Sequence, residues 1–148
     1  KGKSQPHLVN CLFLILGSIK EQVKKEFRLT RSTDFKRVRR FGKSYAHPLV
    51  VMYITSNGEQ QTRIGITAGK WVGSAVKRNR AKRLLREAIR RVYSQILPGV
   101  DLLLIARNRL PMTNLTETQA ALMMVLSRAR LVSTGYDSNS LSTGRISQ

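Results

Sequence analysis

Acidic side chains are the scarcest charged groups in this chain: 8 Asp and Glu stand against 27 Lys and Arg, for a formal net charge of +19 and a pI near 11.4. Residues 27–131 keep 21 of the cations and 5 of the acids, so +16 of the excess belongs to the part expected to fold, not to a basic tail. Cys11 is the single cysteine, which excludes an internal disulfide and a cysteine-based zinc cluster and fits a reducing, cytosolic setting. His7 and His47 lie too far apart in sequence to suggest a metal pair. Long apolar runs are also missing. Residues 8–16, LVNCLFLIL, follow Lys1 and Lys3 like a short signal core but fall well below the ~20 residues a membrane helix needs. The cleavage pattern after them, Leu16-Gly17-Ser18, is weak, so residues 1–25 are read as an N-terminal extension, expected to be poorly ordered. At 148 residues with 41% apolar content, one domain with one core is expected.

What is abundant is concentrated. Residues 77–91 hold eight cations and one acid, yet Ala81, Leu84, Leu85, Ala88 and Ile89 keep the spacing of a helical apolar stripe, continued by Val92 and Ile96. Lys82, Arg86 and Arg90 repeat one turn apart on the other side, beside Arg78, Asn79 and Arg83. Like charges at this spacing oppose a helix, so the pattern implies a polyanion that neutralises them.

Around this helix the sequence predicts an α-β-β-α-β-α order with an optional short strand at 44–46. Thr30 or Ser32 would cap a first helix with Phe35, Val38 and Phe41 inward, stopped by a left-handed Gly42. Leu49 to Ile54 alternates as a strand, with Leu49, Val51 and Tyr53 on one face and Val50, Met52 and Ile54 on the other. After the Asn57-Gly58 turn, residues 62–68 resume as its expected antiparallel partner. Ser74 would cap the basic helix and Pro98-Gly99 close it. Val100 to Ala106 is apolar on both faces and belongs at the sheet centre. Thr116-Glu117-Thr118-Gln119 reads as the capping box of the last helix. Residues 133–148 are Ser-, Thr-, Gly- and Asn-rich and are expected to be a disordered tail. The fold class is α+β, a small sandwich of one sheet with helices.

No catalytic constellation emerges. Asp34, Glu59, Glu87, Asp101 and Glu117 fall on different elements, without an Asp-x-Asp pair, a phosphate-cradling glycine loop or a nucleophile beside a base. Phe35 and Tyr53 either pack as core aromatics or offer faces on which an unpaired base stacks. Trp71, beside Lys70, reads as a packing plug under its loop.

The segment from Lys70 to Glu87, K-x-x-G-x-A-V-x-R-N-R-x-K-R-x-x-R-E, closely resembles the protein subunit of bacterial ribonuclease P, whose signature is the Arg78-Asn79-Arg80 triplet. Phe27 to Thr30, Asp34-Phe35 with Val38, Gly42, Arg63 to Ile66 and Asp101 to Arg107 agree with it, and the resemblance defines a domain over residues 26–132. It implies a mixed sheet in a ribosomal-protein-like domain with a left-handed β-α-β crossover, against the usual right-handed rule. It also implies that the protein assists a catalytic RNA that removes the 5′ leader of precursor tRNA. The magnesium ions would then be held mainly by the RNA, and no catalytic residue is expected in the protein. By the same resemblance Lys77, Arg78, Asn79, Arg80, Lys82, Arg83 and Arg86 would face ribonuclease P RNA. Phe35, Arg39, Val51, Tyr53 and Lys70 would hold the leader of precursor tRNA. Arg39 stands where many members carry a second aromatic, which implies a more electrostatic cleft.

The location implied is cytoplasmic, with no membrane and no small-molecule substrate. The alternative is a general RNA-binding or ribosomal protein of the same fold. A DNA-binding helix is disfavoured because no leucine heptads follow the basic segment, and a membrane-surface helix because its apolar stripe is needed for the core.

Overall fold

The run Val100–Ala106, apolar everywhere but at Asp101, requires cover on both faces, and the fold supplies it. In the computed structural model, which describes residues 28–132, this strand (β4) is the third of four across the sheet. The elements in chain order are α1 (Ser32–Phe41), β1 (Lys43–Ala46), β2 (Val50–Ser56), β3 (Arg63–Ala68), α2 (Ala75–Val92), β4 and α3 (Leu115–Arg128). Leu102, Leu104 and Ala106 pack with α2 and α3 around Val50, Met52, Ile64, Leu85 and Leu122. Leu103 and Ile105 turn the other way, into a smaller cluster with Leu29 and Val38, against which Phe35, Val51 and Tyr53 are half-buried. Each leucine so buried contributes about 1.5–3 kcal/mol. The expected extension (1–25) and tail (133–148) lie outside the described residues.

The sheet is mixed. β1 and β2 pair antiparallel, as do β2 and β4, while β3 lies parallel to β4 and is joined to it through α2. The expected β2–β3 hairpin is therefore corrected. The two strands do run in opposite directions, but β4 lies between them. The reversal at Asn57-Gly58 is real: Glu59 N donates to Asn57 Oδ1 at 2.8 Å and Gly58 has φ of 70°. Yet residues 57–62 are long enough to cross the two strand spacings, ~10 Å, that insertion of β4 requires. Asn57 N also donates to Gly99 O, fastening the turn to the start of β4.

Several local expectations are corrected as well. α1 has Arg31 at its N-cap with no side-chain cap, its first turn being served by the acidic Asp34. Phe41 is 71% exposed, with the Arg40 guanidinium 5.4 Å from its ring centroid. Gly42 is extended, not left-handed; it is required by space, because a Cβ there would lie 2.3 Å from Val38 O and 2.8 Å from Ile54 O. Leu49 precedes β2 and packs with the α2 and α3 cluster instead of sharing the Val51 face. α2 is capped by Ser74, as its spacing predicts, and buries Ala81, Leu85, Ala88, Ile89 and Val92. It ends at Val92 in a 3-10 turn, Tyr93–Gln95, before Pro98 and Gly99 are reached. α3 is capped by Asn114, whose Oδ1 accepts from Glu117 N at 2.8 Å, because the helix begins ahead of the Thr116 box.

Asp101 is the buried exception in β4. Its carboxylate accepts from Arg37 of α1, from Arg63 Nε and Nη2 of β3 at 2.9 and 2.8 Å, and from Asn57 Nδ2 at 3.0 Å. One acid thus ties α1, the Asn57 turn and β3 to the central strand. The hydrogen bond to Asp101 raises the pKa of Arg63.

Candidate nucleic-acid interface

Burial of the α2 stripe forces its cations outward. Lys77, Asn79, Arg80, Arg83 and Arg86 are exposed, and Arg78 and Lys82 are half-buried. None of these six cations is ion-paired among the described residues. Farther along, the charge is compensated: Glu87 accepts from Arg90 at 2.8 Å and lies 3.5 Å from Arg91. The Arg90 hydrogen bond, with smaller contributions from Arg91, holds the Glu87 carboxyl below its ordinary range. The helix thus divides into an unpaired first half and a neutralised end.

The predicted RNA-facing residues do not form a single flat row. Asn79, Arg80 and Arg83 border a hollow of about 610 Å³ that is also lined by Val76, Leu84 and Leu115 at the start of α3. Arg83 and Arg86 also border a hollow of about 500 Å³ on the other flank, where Arg28 and Thr30 run beside β3. Arg83 and Glu87, one turn apart, belong to both. Ridges of cations beside hollows suit the alternating phosphates and recesses of folded RNA.

On the opposite face of the sheet, Arg39 of α1, Val51 and Tyr53 of β2 and Ile105 of β4 line a groove of about 440 Å³ with Trp71, Arg107 and Asn108. The groove therefore gathers three of the five predicted leader residues: Arg39, Val51 and Tyr53. Lys70 is exposed in the adjoining turn, Lys70–Val72, outside the lining. Phe35 is also outside it; its ring lies over Gly65 of β3, where a Cβ would come within 3.1 Å of Cε1 and Cζ. No acid lines the groove, and Arg39, Lys70 and Arg107 are unpaired among the described residues.

Four lining residues, Trp71, Ile105, Arg107 and Asn108, were not predicted. Trp71 is not a plug: it is 59% exposed, and its Nε1 donates to Ala106 O at 3.1 Å. Arg107 and Asn108 follow β4, and their place in the groove depends on β4 lying beside β2, which no local pattern announces. A signal for Trp71 was present in Gly69, since a large ring beside a glycine suggests backbone contact.

Among the described residues no three His, Cys, Asp or Glu side chains converge to hold a metal ion, and no helix is long and apolar enough to cross a membrane. Three acids are engaged by arginines: Asp101 by Arg37 and Arg63, Glu87 by Arg90 and Arg91, and Asp34 by Arg37.

The family model for Ribonuclease P matches residues 23–130. The Ribonuclease P protein component of Herpetosiphon aurantiacus is 40% identical over 104 residues, covering 70% of this chain and 85% of that protein. The solved RNase P protein of Staphylococcus aureus aligns with a TM-score of 0.65 at 33% identity, covering 72% of this chain and 97% of the other. That of Thermotoga maritima aligns with a TM-score of 0.62 at 30% identity, covering 68% and 96% respectively. With a match that runs from before α1 to the end of α3, the chain belongs to the ribonuclease P protein family.

Proposed function

We propose that this chain, a protein component of the ribonuclease P holoenzyme that matures the 5′ end of tRNA, works by binding on two faces. The unpaired half of α2 binds the RNA subunit, and the groove between α1 and β2 holds the single-stranded leader of precursor tRNA. The observation that carries this reading is the run of six cations, unpaired among the described residues, on a helix whose apolar side is committed to the core.

The chemistry these side chains supply is electrostatic. Cations on α2 displace condensed counterions from RNA phosphates, so binding gains from ion release and weakens with salt. On the groove side, Arg39, Lys70 and Arg107 attract the leader backbone, while Val51 and Tyr53 give a partly apolar floor on which bases rest. This reading leaves the metal ions and the attacking water to the RNA. A cytoplasmic location belongs to the same proposal.

The test is cleavage of precursor tRNA by ribonuclease P RNA at limiting magnesium, with and without the chain. Cleavage that rises on addition of the protein supports the reading. RNA binding without any gain in cleavage would favour a general RNA-binding role instead.

A further inference from the structure

Trp71 is an aromatic surface held open at the mouth of the groove. Its Nε1 donates to Ala106 O at 3.1 Å, so the indole is fixed to the end of the central strand. Its benzo ring lies against the backbone of Gly69, where a Cβ would come within 2.1 Å of Cζ3 and Cη2. Any other residue at 69 would displace the ring. Even so, Trp71 remains 59% exposed and borders the same groove as Arg39, Tyr53, Arg107 and Asn108. A tryptophan used for packing hides its faces, whereas this one is anchored at an edge and left accessible.

We infer that Trp71 is a stacking platform for one unpaired nucleobase of a single-stranded RNA, with Arg39 and Arg107 taking the flanking phosphates. The inference rests on the leader reading of the groove and names the site within it. The surroundings point to a nucleotide: two guanidinium groups that are unpaired among the described residues, with no acid in the lining, favour an anion, and the volume of about 440 Å³ lies within the range of small-ligand sites. The side-chain amide of Asn108, without a partner among the described residues, offers a donor and an acceptor to the base edge. Every base has a π face, so stacking on Trp71 tolerates many leader sequences.

Trp71 is the only tryptophan of the chain, so intrinsic emission reports on this ring alone. The experiment titrates the holoenzyme, reconstituted from the full chain and ribonuclease P RNA, with precursor tRNA carrying a leader of several nucleotides and with mature tRNA. Trp71 emission should change with the precursor and stay constant with the mature product. Trp71→Ala should weaken precursor binding by about 5- to 150-fold, the span of one lost base stack, and leave mature tRNA unaffected. Trp71→Phe separates stacking from anchoring. Both variants lose the Nε1 donor, so an anchoring role predicts equal losses, whereas a stacking role predicts that Phe recovers much of the affinity. Unchanged emission, or equal losses in both variants, while the wild type still prefers the precursor, would overturn the Trp71 assignment and spare the leader groove. A wild type with no preference for the precursor would overturn both.

Discussion

Replacing Arg78, Arg80 and Arg83 together by Ala removes half of the unpaired cations of α2 and leaves its buried stripe intact. If each contacts one phosphate, the slope of log K against log salt should fall by roughly 0.7–0.9 per residue, or about 2–3 units for the three. Between 50 and 200 mM salt the wild type would then lose roughly 20- to 40-fold more affinity for the RNA subunit than the variant. The loss should not arise from unfolding, since Ala favours helix and the substitutions relieve like-charge repulsion. Circular dichroism should show the helix retained. Arg91→Ala is the internal control: Arg91 already has Glu87 at 3.5 Å, so its removal should change the slope less than any single change in the triplet. The assay is filter binding or fluorescence anisotropy across a salt series. A large drop in affinity with an unchanged slope would refute the reasoning, because the three residues would then act through something other than phosphate neutralisation.

Asp101→Ala should lower stability by about 3 kcal/mol in urea unfolding, the low end for breaking a buried ion pair, because Arg37 and Arg63 remain 44% and 24% exposed and keep some water. A loss below about 1 kcal/mol would show that the network is dispensable. Gly42→Ala should cost about 1–3 kcal/mol, since the new Cβ meets two backbone oxygens that cannot both move; an unchanged midpoint would contradict the close approach. His47 has its pKa lowered below 6.5, first by burial and then by Arg128, and its Nδ1 accepts from Leu49 N at 3.2 Å. Its contribution is therefore full above pH 6.5 and lost as pH falls through the folded value, a dependence that should disappear in His47→Gln.

The parts of this molecule written as periodic patterns were readable in advance. The 3.6-residue stripe of α2 predicted its buried residues, and the two-faced apolarity of Val100–Ala106 predicted a central strand. Neighbour relations were not readable. A turn at Asn57-Gly58 dictates reversal, but whether the next strand pairs with the last or leaves room for β4 is decided by β4 itself, about forty residues later. The same gap hid one wall of the groove, because Ile105, Arg107 and Asn108 join Tyr53 in its lining only once β4 lies beside β2. Two of the three caps differ for another reason. Several Ser, Thr and Asn residues crowd the starts of α1 and α3, where Arg31 has no side-chain cap and Asn114 caps in place of Thr116. Phe35 packs on Gly65 in the cluster that Val51 and Tyr53 also join, while the exposed ring bordering the groove is Trp71.

The central claim is that one face of the sheet recognises the leader while the basic helix holds the catalytic RNA. Its most direct measurement is the ratio of affinities for precursor and mature tRNA, determined for the RNA subunit alone and for the RNA with this chain. The account predicts that the chain raises the ratio, and that Arg39→Ala combined with Tyr53→Ala returns it towards the value for RNA alone. A chain that tightens both ligands equally, or leaves the ratio unchanged, would contradict it.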